Sequence, residues 1–173
     1  MNSRGVVSDV ASVQYGSISL NNATSGTATI TSVDTTKSCV VWLGDSMLYP
    51  GSVQAKYWPI LTLTNATTVT ATAPNASTCT TKFMVVTWNN VKSLQTGQIS
   101  MGGYSATATI TSVNTAKALL IYQGSNSNDT GNADSGLIEI TLTNSTTITA
   151  DRDNNTGSGF GTGLVNYAVV EFN

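Results

Sequence analysis

Nine carboxylates are the main acid–base groups of this chain, because its 173 residues include no histidine. Six of them, Asp34, Asp45, Asp129, Asp134, Asp151 and Asp153, fall in predicted turns or loops. A hydrolase that works with two carboxylates needs them facing each other across a cleft. The sequence sets up no such pair, and Asp34 is replaced by Asn114 in the internal repeat described below. Without histidine the usual general base near neutral pH and the commonest transition-metal ligand are both missing. Asp129-Thr-Gly-Asn-Ala-Asp134 and Asp151-Arg-Asp-Asn-Asn155 carry oxygen ligands of the kind Ca²⁺ takes, but neither has the EF-hand spacing. Asp and Asn are also common turn formers. The expectation is a chain that is not an enzyme, with no catalytic residue, no metal site and no cofactor.

Two cysteines, Cys39 and Cys79, lie in the first half. Three readings are open for them: two buried thiols, an intermolecular bridge, or an intradomain disulfide. The last would close a loop worth about 3–4 kcal/mol on the chain-entropy model. The aromatic residues divide by position. Trp42 aligns with Tyr122 and Trp88 with Phe172, so these pairs read as core. Tyr49, Tyr57 and Trp58 occupy a loop-rich insert, Asp45–Pro59, whose counterpart Ser125–Gly136 has no aromatic residue. Unmatched loop aromatics suit an interface anchor or a sugar-stacking platform; closing off a sheet edge is the alternative. The Asn-X-Ser/Thr triplets at Asn22, Asn65, Asn75, Asn128, Asn144 and Asn154 follow from composition alone, with 29 Thr, 20 Ser and 16 Asn in the chain.

The elements that must carry these residues are legible from the repeat. Thr27-Ala-Thr-Ile-Thr-Ser-Val33 recurs unchanged as Thr107-Ala-Thr-Ile-Thr-Ser-Val113. Leu61-Thr-Leu-Thr-Asn-Ala-Thr-Thr-Val-Thr-Ala71 matches Ile140-Thr-Leu-Thr-Asn-Ser-Thr-Thr-Ile-Thr-Ala150. Each copy opens on Ser-Val-Gln-Tyr-Gly (from Ser12) or Ser-Leu-Gln-Thr-Gly (from Ser93), and closes on Val85-Val-Thr-Trp-Asn89 or Val169-Val-Glu-Phe-Asn173. Internal repeats of this kind set the architecture. The division that follows is an N-terminal arm at 1–11 and two β modules at 12–90 and 91–173. Their joint at Asn90-Val91-Lys92 is so short that the pair should behave as one semi-rigid rod.

Within each copy the pattern is that of strands. Thr, Val and Ile dominate the repeated blocks, and β-branched residues favour strands. Ala28 and Ile30 share one face and Thr27, Thr29 and Thr31 the other, which is a sheet with one dry side. Six strands are predicted in the first module: Gln14–Leu20, Thr27–Val33, Ser38–Gly44, Ile60–Thr64, Thr67–Ala73 and Lys82–Asn89. Turns are expected at Asp34–Lys37, at Asn114–Lys117, and at Asn65-Ala66, where Asn tolerates positive φ. The fold class is therefore all-β: two tandem small β-sandwich or barrel-like modules of about six antiparallel strands each, related by internal duplication. Net charge is −2 with no basic patch, so a nucleic-acid partner is not expected. No apolar run approaches the roughly 20 residues that span a bilayer, and Met1–Ala11 lacks the apolar region of a secretory signal.

Ser-Val-Gln-Tyr-Gly-Ser-Ile-Ser, Thr-Ala-Thr-Ile-Thr-Ser-Val-Asp-Thr-Thr-Lys, Leu-Thr-Asn-Ala-Thr-Thr-Val-Thr-Ala and the terminal Val-Val-Glu-Phe-Asn resemble small β modules in virion proteins of tailed bacteriophages. Such modules occur in capsid decoration, neck and tail-fibre components. The resemblance covers both modules and leaves out Met1–Ala11. It implies a non-catalytic structural protein bound to capsid, neck or tail subunits through β surfaces, made in the host cytoplasm and released by lysis. A homo-oligomer is expected, a trimer where the particle has a three-fold axis. The alternation also loosely resembles H-type lectin β-sandwiches. The alternative function, resting on the unmatched loop aromatics Tyr49, Tyr57 and Trp58, is a receptor- or carbohydrate-binding adhesion module.

Overall fold

A computed structural model describes residues 9–47, 57–128, 136–152 and 161–173. All of its regular elements are strands except short 3₁₀ turns, and every strand pairing is antiparallel. In the first half, β1 (Val10–Thr29) runs along the whole of β4 (Thr68–Trp88), from Val10 opposite Trp88 to Thr29 opposite Thr68. β2 (Ser38–Met47) pairs with the C-terminal half of β4, and β3 (Ile60–Asn65) with its N-terminal half. The alternating apolar side chains of both halves meet in one core: Ile18, Leu20, Val40, Phe83 and Val85 from one layer, Leu61, Val69 and Ala71 from the other. The two long strands thus bend over their own apolar face to make two layers. The bend falls at register shifts flanking Ala23, beside Asn22, which takes φ 53°.

The second half uses the same plan with the long strands broken. β5 (Val91–Met101), β10 (Gly163–Phe172) and β7 (Ala118–Ser127) form one sheet; β6 (Ser105–Thr109), β9 (Thr147–Arg152) and β8 (Ile138–Asn144) form the other. Ile99, Met101, Val165, Tyr167 and Val169 from the first sheet pack on Ile138, Ile148 and Ala150 from the second. The break after Met101 falls at Gly102-Gly103, which add no β-favouring side chain. Two strands expected in the first module, Gln14–Leu20 and Thr27–Val33, are therefore parts of the single strand β1, and Thr67–Ala73 and Lys82–Asn89 are parts of β4. Strand pairing stops at Thr29, four residues before the expected end at Val33.

The signature residues of the repeat have the same tasks in both halves. Gln14 accepts from the Thr31 amide (2.8 Å) and donates to its carbonyl (3.0 Å); Gln95 does the same with Thr111 (2.7 and 2.9 Å). A glutamine side chain thereby stands in for a strand partner where pairing has ended. Gly16 lies opposite Phe83 and Gly97 opposite Tyr167, and a Cβ at either glycine would overlap the ring across from it. Asp34 Oδ1 accepts from the Thr36 amide (2.9 Å), and Asn114 Oδ1 from the Ala116 amide (3.0 Å). Only an acceptor oxygen is needed at this turn, which is why Asp and Asn interchange there. The hairpin turn is Ala66-Thr67, and Asn65 serves it by accepting from the Thr67 amide (2.9 Å) rather than by a positive φ. Asn144 and Thr146 repeat that bond (2.9 Å).

Candidate functional site

Three of the described carboxylates, Asp34, Asp45 and Glu171, are engaged in local hydrogen bonds. Asp34 holds a turn, and its Thr36 hydroxyl and amide donors keep the carboxyl below the ordinary range. Asp45 lies in β2 and Asp151 in β9, not in loops as the sequence suggested. Asp45 accepts from Trp42 Nε1 (3.2 Å), and burial raises its pKa. Glu171 accepts from Lys92 Nζ (2.9 Å), the Asn114 amide (2.9 Å) and Ser93 Oγ (3.3 Å), donors that hold its carboxyl below the usual glutamate value. Asp129, Asp134 and Asp153 lie outside the described residues. Among the described residues, no group of three or more Asp, Glu or Cys side chains is placed to hold a metal ion.

Cys39 and Cys79 are both free and buried, in different clusters. Cys79 pairs with Met47, eight residues along β2 from Cys39, so roughly 20 Å or more of strand separates the two thiols. A disulfide spans about 6 Å between Cα atoms, so these two thiols are not bridged within the chain. Burial pushes the Cys39 thiol up to about 11.

The two halves pack on each other through a shared contact. A third apolar cluster joins Cys39, Val41 and Trp88 of the first half to Ile121, Ala168, Val170, Leu94 and Phe172 of the second. Sequence-aligned aromatics meet edge to face here: Trp42 on Tyr122 (centroids 5.7 Å apart) and Trp88 on Phe172 (5.4 Å). Two buried amides bond across the joint. Gln123 donates to the Val40 carbonyl (2.9 Å), and Asn166 donates to the Leu61 carbonyl (3.0 Å) at β3. Gly124, at φ 102°, admits the Pro59–Ile60 backbone; a Cβ there would stand 2.9 Å from the Pro59 oxygen. Tyr57 and Trp58, half-buried, lead directly into this contact, whereas Tyr49 lies outside the described residues.

The joint is one-sided. Val13, Tyr15, Leu43, Gly44 and Lys82 of the first half align with Leu94, Thr96, Gln123, Gly124 and Asn166 of the second. β3 covers the Gln123–Asn166 end of the second set, but Tyr15 is 74 % exposed, Leu43 47 % and Val13 41 %, and nothing lies within 4 Å of a Cβ at Gly44. Tyr15, Leu43 and Lys82 instead border a groove of about 370 Å³. β8, the counterpart of β3, keeps Leu137 beside it 62 % exposed. On this open side a cleft of about 760 Å³ is lined by Trp42, Tyr122, Leu137, Glu139, Asp151 and Arg152. Glu139 and Asp151 are direct cross-strand partners there, and Arg152 is held by the carbonyls of Gly103 (2.8 Å) and Gly161 (3.1 Å). Sequence reasoning did not single out Tyr15, Leu43 or Glu139; their signal is the alignment itself, in which Tyr15 and Leu43 stand where the sealed joint has Thr96 and Gln123, and Glu139 stands where it has Ile60.

No family model, curated protein or solved structure matches the chain. No helix among the described residues is long and apolar enough to cross a membrane.

Proposed function

We propose that this chain is a non-catalytic structural protein of a tailed-bacteriophage particle, attached to capsid, neck or tail subunits through its sheet surfaces. The observation that carries this reading is the exposed apolar strip Val13, Tyr15 and Leu43 on β1 and β2. Contiguous apolar surface of this kind marks a docking site. Two of the carboxylates, Asp34 and Glu171, are engaged in a turn and at a strand end. Low charge and a Thr-rich exterior suit subunits that meet through neutral, hydrogen-bonding surface. The test is co-sedimentation: purified protein is mixed with particles lacking it and pelleted. Recovery in the pellet at micromolar protein, reduced by Tyr15→Ser, is expected; protein left in the supernatant would overturn the reading.

The cleft favours one second reading, a carbohydrate-binding adhesion module. An edge-to-face Trp–Tyr pair beside two carboxylates and an arginine gives an apolar floor with acceptors and a donor for sugar hydroxyls. Glycan-array binding that is lost in Asp151→Asn and kept in Tyr15→Ser would favour it over particle attachment.

A further inference from the structure

The two halves display the same joint twice, once closed and once open. In the closed copy, the edge strand β3 covers the outer face of β7 and β10, and Asn166 donates to the Leu61 carbonyl and lies 3.3 Å from Thr62 Oγ1. In the open copy, Lys82 stands at the Asn166 position beside exposed Leu43 and Tyr15, and Ile140 and Thr141 of β8 stand at the positions of Leu61 and Thr62. The chain's own β8 does not cover this face, because Leu43 and Leu137 both remain exposed. The uncovered face and the uncovered strand flank the same cleft, with Trp42 on one wall and Leu137 and Glu139 on the other.

We propose that a second copy of this chain closes the open joint, in a two-fold dimer where β8 of each copy lies on the β1–β2 face of the other. Two features select a second copy over an unrelated chain. β8 carries the repeat of the strand that fits this face in the closed joint, Leu61-Thr-Leu-Thr-Asn65 becoming Ile140-Thr-Leu-Thr-Asn144. The charges are also complementary: Lys82 replaces the amide of Asn166, and Glu139 replaces Ile60, the residue just before the strand's acceptor carbonyl. A two-fold operator uses each patch once per copy, so Lys82 of each copy meets Glu139 of the other and no half-joint is left over. Tyr15 and Leu43 of each copy then bury against Leu137 of the other.

The dimer takes up Tyr15 and Leu43, two of the three residues on which the attachment reading rests, yet the two readings fail separately. A dimer that ignores particles would sink only the proposed function, and a monomer that pellets with them would sink only the dimer. Light scattering after size exclusion, on the full chain, reads the mass directly. A mass of twice 17.9 kDa is expected at about 100 μM, a concentration that populates even a weak dimer. Lys82→Glu and Glu139→Lys should each weaken association about tenfold or more, and the double reversal should restore it. Both positions are exposed, so unfolding curves of the single variants should match the parent when all are measured at a dilution where the parent is monomeric. A mass of one chain at every concentration overturns the proposal. So does a dimer that both single reversals leave intact, or one the double reversal fails to restore.

Discussion

At the scale of single residues, most of what sets this chain apart is close contact and hydrogen bonding. Phe83 is fully buried and lies across Gly16, with no space for a Cβ. Gly16→Ala should therefore cost about 1–3 kcal/mol as an overpacked site, read as a lower midpoint in denaturant; an unchanged midpoint would show the ring free to move. Glu171 titrates below the usual glutamate value of 4.5 because the Asn114 amide and Lys92 favour its ionised form. Its folded pKa is depressed, so its stabilising contribution is complete above the unfolded value and is lost as pH falls through the folded one. Glu171→Gln should flatten that acid limb of the stability–pH curve while leaving its shape at neutral pH and above unchanged. Cys39, buried and raised to about 11, is a neutral thiol at pH 8. A thiol reagent should leave it unmodified in the native protein and label it after unfolding, and fast native labelling would contradict its place in the joint.

Strands show where one repeated sequence takes two different tasks. Gly44 and Gly124 share positive φ, but only Gly124 faces another backbone. Gly44→Ala should cost about 1–2 kcal/mol for the left-handed conformation alone. Gly124→Ala should add about 1–3 kcal/mol for the collision with Pro59, so equal losses in thermal unfolding would argue against this contact. Period-two alternation made the strands legible, because Ile30, Leu61 and Val69 fall on the dry face as their spacing requires. It did not show that β1 and β4 run on through the expected breaks, since a bend at Ala23 carries pairing past the turn-favouring residues Asn21-Asn22. The Asp34 and Asn65 turns were readable from residue type, although Asn65 acts through its side-chain oxygen. The joint was not readable: Gln123 and Asn166 are polar, and their burial depends on carbonyls eighty or more residues away. Tyr57 and Trp58, noticed for being unmatched, directly precede Pro59, whose backbone meets Gly124 in that joint.

For the molecule as a whole, the account rests on two repeated β units spending one pair of faces on each other and so becoming one body. The shared cluster around Ile121 and Val170, the crossing amides of Gln123 and Asn166, and the two aromatic pairs all couple the units. Removing a buried partner leaves the opposite carbonyl unsatisfied, at about 1–3 kcal/mol, so a Gln123→Ala, Asn166→Ala variant should uncouple them. The most direct measurement is equilibrium unfolding in denaturant, followed both by far-UV dichroism and by tryptophan fluorescence, which reports on the half that holds Trp42, Trp58 and Trp88. The account predicts one transition, coincident in both signals, for the parent protein, and two separated transitions for the double variant. Two separated transitions in the parent would contradict it.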